Sequence, residues 1–166
     1  MNAIAIDTNV FLQLLNDRNN PDSHIDQLLS HLARKKFSLL LDSTQKIQNE
    51  YEEKIVPIIR KVDETGIQLL LLKYWMELRP FTMIDLDPTD RLMTSIKKVI
   101  HEKDEHADRA FVYVVCIGNC CLVSNDDQHI ISRRSELRSE TRKLRGNDTV
   151  FKNTREAIQH LVAKPA

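Results

Sequence analysis

A layered α/β fold with a mainly parallel sheet is what this sequence predicts, and three observations predict it. Short apolar runs recur at residues 3–6, 37–41 and 120–123, each of a length suited to a buried strand. Each run ends in a polar, acid-bearing group: Asp7-Thr8-Asn9, Asp42-Ser43-Thr44 and Ser124-Asn125-Asp126-Asp127. Between them lie segments with apolar residues at helical spacing, as parallel strands joined by crossover helices require.

The elements follow in order. Asp7 or Thr8 can cap a first helix running to about residue 16, where the polar group 16–21 breaks it. Asp22 or Ser23 then caps a second helix, whose Ile25, Leu28, Leu29 and Leu32 form one apolar stripe and whose Lys35 and Lys36 suit its C-terminal dipole. After the second strand, Asp42 is placed to cap a helical segment over 44–65, which Pro57 should kink or divide. Gly66 closes that segment, and 67–78 reads as a more buried helix, with strand the alternative for its four consecutive leucines. Residues 81–86 read as a loop or a short strand. Asp87-Pro88 opens a helix to about His101, and an acidic turn over 102–108 leads into an apolar helix over 109–117 that Gly118-Asn119 ends. Beyond the third strand come a basic helix near 132–144, a turn at Gly146-Asn147, an edge strand near 149–151 and a last helix over 154–162.

Composition narrows the class. At 166 residues the chain fits one domain, 1–166, and a domain of this size buries roughly 70% of its unfolded surface. The 24 Lys plus Arg balance 24 Asp plus Glu, so nucleic-acid binding would have to come from local patches. Cys116, Cys120 and Cys121 are odd in number and lack a zinc spacing, as expected of reduced thiols in a cytoplasmic protein. No run approaches the length of a membrane span, so no membrane association is expected.

Three acids reach the same rim of such a sheet. Asp7 follows the first strand, Asp126 follows a later one, and Asp108 lies in the first turn of the helix feeding that strand. Glu50 sits two turns into the helix after the second strand, on a side that could lean toward the same edge. Ligands of open α/β sheets bind beyond the carboxyl ends of the strands. Converging carboxylates repel unless a cation neutralises them, and an all-oxygen donor set calls for Mg²⁺ or Mn²⁺. Such a site can activate water and clamp a phosphodiester, best with two ions about 4 Å apart. Each acid alone has a plainer role: Asp7 as helix cap, Asp108 as first-turn acid, Asp126 as turn residue, Glu50 as solvated helix position. The metal reading rests on the four together.

The same stretches resemble the four acid motifs of PIN domains: Ile6-Asp7-Thr8-Asn9-Val10, Glu50 within Gln48-Asn49-Glu50-Tyr51, Asp108-Arg109-Ala110-Phe111, and Leu122-Val123-Ser124-Asn125-Asp126. The likeness covers residues 1–131 and extends loosely over the tail. It implies a three-layer α/β/α sandwich and an endoribonuclease that hydrolyses single-stranded RNA with Mg²⁺ or Mn²⁺. Many PIN domains are toxins of toxin–antitoxin pairs, so it also implies an antitoxin protein as a partner. By the family pattern, Asp7, Glu50, Asp108 and Asp126 would bind metal, with Thr8, Asn9, Ser124 and Asn125 as their hydrogen-bonding surround. Asp104 is a rival to Asp108, and Asp127 is a second candidate beside Asp126.

Two other functions compete. An aspartate after the first strand also suits a covalent phosphohydrolase, but Asn9 stands where that chemistry wants a second aspartate. A PIN fold without catalysis, binding RNA or protein, is the stronger alternative. Arg134, Arg138, Arg142 and Arg145 fall on one helical face and could line the cleft and hold a phosphate backbone. They could equally pair with Glu136 and Glu140 as a solvated face, or serve a protein partner or a second copy in a homodimer. His106 and His129 flank the proposed site, where either could touch substrate, and solvated loop positions are the expectation for both.

Overall fold

The computed structural model describes residues 2–16, 24–60, 73–78, 81–103, 105–146 and 149–161. Its strands are β1 (Ala3–Ile6), β2 (Ser38–Asp42), β3 (Thr82–Ile84), β4 (Cys121–Val123) and β5 (Val150–Lys152). They form one five-stranded, all-parallel sheet in the order β3-β2-β1-β4-β5. β1, β2 and β4 are almost wholly buried, as continuous apolar runs covered on both faces must be.

The helices are α1 (Thr8–Asn16), α2 (His24–Arg34), α3 (Lys46–Lys54), α4 (Val56–Arg60), α5 (Arg91–Val99), α6 (His106–Gly118), α7 (Arg134–Arg145) and α8 (Thr154–Leu161). Residues 73–77 are also helical. α6 is apolar nearly all round and packs across β1, β2 and β4, while α5 packs against both α6 and α7. α2 packs against α1 and α8. The result is the expected three-layer α/β/α sandwich. Among the described residues no helix is long and apolar enough to cross a membrane.

Local chemistry accounts for most boundaries. The stripe of Ile25, Leu28, Leu29 and Leu32 is buried. The long segment after β2 divides at Ile55, and Pro57, which has no amide to donate back to residue 53, falls in the first turn of α4, where none is needed. Asn119 and Gly146 end α6 and α7 in left-handed conformation, at φ 48° and 70°. One expected start moves. Asp87 accepts bonds from Thr89, and it is Asp90, accepting from the Leu92 amide at 2.9 Å, that caps α5. Residues 81–86 contain a short edge strand, and α6 begins at His106, a turn ahead of expectation. The expected caps Asp22 and Ser23, the leucine run 69–72, Gly66 and Asn147 lie outside the described residues.

The strand order sets the position of any site. From β1 the chain steps outward through β2 to β3, then crosses back to lay β4 on the other side of β1. Connections leaving β1 and β4 therefore diverge, opening a crevice between their carboxyl ends. Ile6 is in register with Val123, so Asp7 and Ser124 are the first residues past the sheet on either side of that crevice. Beneath it lies an aromatic cluster in which Tyr51 packs against Phe11, Trp75 and Phe111 at 5.3 to 5.9 Å, and the Tyr51 hydroxyl donates to the Ile6 carbonyl.

Candidate metal centre

Asp7 is positioned twice over. Its amide donates to the Val123 carbonyl at 2.8 Å, continuing the β1–β4 ladder one residue past the strand. Its carboxylate accepts from the Asn9 amide at 3.2 Å, the bond of a helix N-cap, from the Asn9 side chain at 2.9 Å and from Ser124 Oγ at 2.6 Å. Asp7 is therefore both the cap of α1 and a wall of the crevice. It is 3% exposed, and burial pushes its carboxyl up to about 6; the Ser124 and Asn9 bonds resist that rise, while the Glu50 and Asp126 charges add to it.

Ser124, fully buried, accepts from the Asp126 amide at 2.9 Å, so one hydroxyl couples the two aspartates. Asn125 ties the same turn to α1 and α8: its amide donates to Asn9 Oδ1 at 3.1 Å, its side chain donates to Gln13 Oε1 at 2.6 Å, and its Oδ1 accepts from the Thr154 amide at 2.9 Å. Asn9 and Ser124 thus bond the aspartates directly, and Asn125 braces Asn9 without touching an acid. Thr8 is buried, with no hydrogen bond to its Oγ1.

Asp108 arrives from a third element, the first turn of α6. It is 7% exposed, and its Oδ2 accepts no hydrogen bond. Burial holds its carboxyl well above the usual range, and the charges of Asp7, Asp126 and Glu105 raise it further. One carboxylate oxygen each from Asp7, Asp108 and Asp126 lies within 4.8 Å of the others. Buried carboxylates this close, one with an orphaned oxygen, suit a hard divalent cation.

The remaining candidates separate. Glu50 is not among the donors in that trio; its Oε1 pairs with Lys54 at 2.9 Å, and it acts on Asp7 only through its charge. Asp127 is exposed and outside the trio, and Asp104 lies outside the described residues. Asp42 caps α3 through the Lys46 and Ile47 amides at 3.1 and 2.8 Å. His129 corrects an expectation. In place of a solvated loop position it has a side chain only 12% exposed, with Nδ1 3.2 Å from Asp126 Oδ2 and 3.3 Å from Asp108 Oδ2. Glu105 stands beside it, 3.8 Å from the same nitrogen. A histidine three residues after a strand-end aspartate, in a tight turn, was the signal available for it. His106 is exposed, as expected.

The arginine face does not line this crevice along its length. Arg134, at the carboxyl edge, is held by Glu156 through two bonds of 2.8 and 2.7 Å. Arg138 donates to the Thr149 carbonyl at 3.2 Å and, with Arg142, Lys143, Ser135 and Ser139, lines a groove of about 690 Å³ against Thr149 and Val150. Val150 is in register with Cys121, the first residue of β4, so this groove opens at the amino edge of the sheet. α7 crosses from one edge to the other and ends with Arg145 on Asp90 at 2.8 Å.

The sequence matches no family model, and neither curated proteins nor solved structures give a match.

Proposed function

We propose that the chain is a divalent-cation-dependent hydrolase of phosphodiesters, with single-stranded RNA as substrate. The observation that carries this reading is the meeting of Asp7, Asp108 and Asp126, from three separate elements, at the crevice between β1 and β4. The likeness of the acid-bearing motifs to those of PIN domains supports RNA as the substrate class.

Asp7, Asp108 and Asp126 would hold Mg²⁺ or Mn²⁺, which when bound supplies Lewis acidity at a phosphoryl oxygen and lowers the pKa of water. The chain's own groups do the rest. Ser124 and Asn9 fix both oxygens of Asp7, so its carboxylate is oriented before any ligand arrives. The Gln128 and His129 amides, at 2.7 and 3.0 Å, hold Asp126 Oδ1, and Oδ2 lies 3.2 Å from His129 Nδ1. Glu50, outside the trio, adds negative charge that favours cation entry.

The test is cleavage of a mixed single-stranded RNA with Mg²⁺ or Mn²⁺ by the chain and by a folded Asp7→Asn variant. Loss of at least a hundredfold in the variant, and loss in the parent on chelation, is expected; equal rates in the two proteins would overturn the reading. A binding module without cleavage is the second reading, favoured by one observation: the Arg138–Arg142 groove opens at the edge opposite the acids. RNA bound by both proteins and cut by neither would establish it.

A further inference from the structure

Glu105 and the His129 ring are not among the three aspartate donors, yet they adjoin them, His129 through its amide and Nδ1 on Asp126 at 3.0 and 3.2 Å. Glu105, Asp108 and His129 form a second trio of ligand atoms within 4.8 Å of one another, sharing Asp108 with the first. One observation beyond the cluster itself points to a ligand there. The Asp108 side chain is 9% exposed, and its Oδ2 lies 3.3 Å from His129 Nδ1 without hydrogen-bond alignment. The donor set is mixed: an imidazole nitrogen, hydrogen-bonded to Asp126 Oδ2 at 3.2 Å, faces carboxylate oxygens of Glu105 at 3.8 Å and Asp108 at 3.3 Å.

The surroundings hold these donors in place. Arg109, buried within α6, donates to the Ile100 carbonyl at 2.8 Å and to the Glu102 carbonyl, fastening the loop that carries Glu105. Arg133 donates to both Glu102 oxygens, at 3.0 and 2.6 Å, and to the Val99 carbonyl at 2.7 Å, joining that loop to the turn that carries His129. Both guanidinium groups are engaged in this bracing, so the carboxylates at the crevice are brought together without an arginine between them.

We infer that Glu105, Asp108 and His129 form a second cation position, sharing Asp108 with the first and selecting a first-row transition ion such as Mn²⁺ over Mg²⁺. Around an octahedral ion with bonds of about 2.1 Å, donors are spaced about 3.0 Å along an edge and about 4.2 Å across. The nitrogen–oxygen separations of 3.3 and 3.8 Å fall within that span. An imidazole nitrogen is a ligand for first-row transition ions, among which Mn²⁺ also takes carboxylates readily, whereas Mg²⁺ is held by oxygen donors. A carboxylate shared by two positions is the arrangement that places two ions about 4 Å apart. The inference rests on the cation reading of the three aspartates and not on RNA cleavage.

The test is calorimetric titration of the metal-free chain with Mn²⁺, and separately with Mg²⁺, in the absence of RNA. The parent should bind two Mn²⁺ per chain. His129→Ala and the near-isosteric Glu105→Gln should each weaken one position at least tenfold and spare the other, a loss of the size expected when a ligand goes. Mn²⁺ should exceed Mg²⁺ at the affected position by at least tenfold, and His129→Ala should abolish that margin. In Asp7→Asn, which weakens the first position, spin-echo spectra of bound Mn²⁺ should show ¹⁴N coupling from the imidazole. Unchanged Mn²⁺ stoichiometry and affinity in both variants, or bound Mn²⁺ without ¹⁴N coupling in Asp7→Asn, would overturn it and leave His129 as a hydrogen-bond partner of Asp126. An RNA-inactive chain that binds two ions would sink the nuclease and leave this inference standing.

Discussion

Replacing Asp7 by asparagine should stabilise the metal-free chain at pH 8 and destabilise the metal-loaded one. Burial raises the Asp7 carboxyl from 3.8 to about 6, so the folded chain holds this proton more tightly than the unfolded chain does. The charged form is therefore penalised by the fold. The penalty is absent below about pH 4, grows through about pH 6 and is constant above, where it amounts to about 3 kcal/mol. Asparagine removes the charge and can keep its oxygen where Oδ2 accepts from Ser124 Oγ at 2.6 Å and Asn9 Nδ2 at 2.9 Å, but it puts an NH₂ where Oδ1 accepts from the Asn9 amide at 3.2 Å. One unmet buried donor costs about 1–2 kcal/mol, leaving a net gain of about 1–2 kcal/mol at pH 8. For a chain of this length that raises Tm by about 3–6 °C. The assay is thermal unfolding of parent and variant in chelator at pH 3 and pH 8, repeated at pH 8 with Mn²⁺. The variant should melt above the parent at pH 8 and below it at pH 3, and Mn²⁺ should restore the parent while helping the variant far less. A variant equally destabilised at both pH values, or an equal Mn²⁺ shift in both proteins, would refute the reasoning.

Two further outcomes are expected. Tyr51→Phe removes the buried hydroxyl that donates to the Ile6 carbonyl and should cost about 1–3 kcal/mol in urea unfolding, with the ring packing retained. If the amino-edge groove holds an RNA backbone, Arg138→Ala and Arg142→Ala should each reduce the salt dependence of RNA binding by about one ion. Arg134→Ala should leave it nearly unchanged, since Glu156 already holds that guanidinium.

The order and type of the elements were legible along the chain because each depends on local chemistry. Apolar runs of strand length made β1, β2 and β4, a stripe at helical spacing made α2, and Asn119 and Gly146 stopped helices that could continue no further. Asp7, Asp108 and Asp126 were legible for the same reason: each directly follows a strand or opens a helix, and a parallel sheet brings such positions to one edge. What the chain order could not reveal is which side chains face one another across that edge. Glu50 shares the motif pattern, but it pairs with Lys54 one turn along its own helix, while Glu105 and His129, from the turns beside Asp108 and Asp126, bring ligand atoms next to Asp108. The arginine face shows the same division. Helical spacing aligns Arg134, Arg138, Arg142 and Arg145, but the crossing of α7 from the carboxyl to the amino edge of the sheet hands them to Glu156, the β5 groove and Asp90 in turn. Period and capping act over one turn of chain, so sequence alone determines them; distances between charges on different elements are set by strand order and helix packing, and only the tertiary structure decides them.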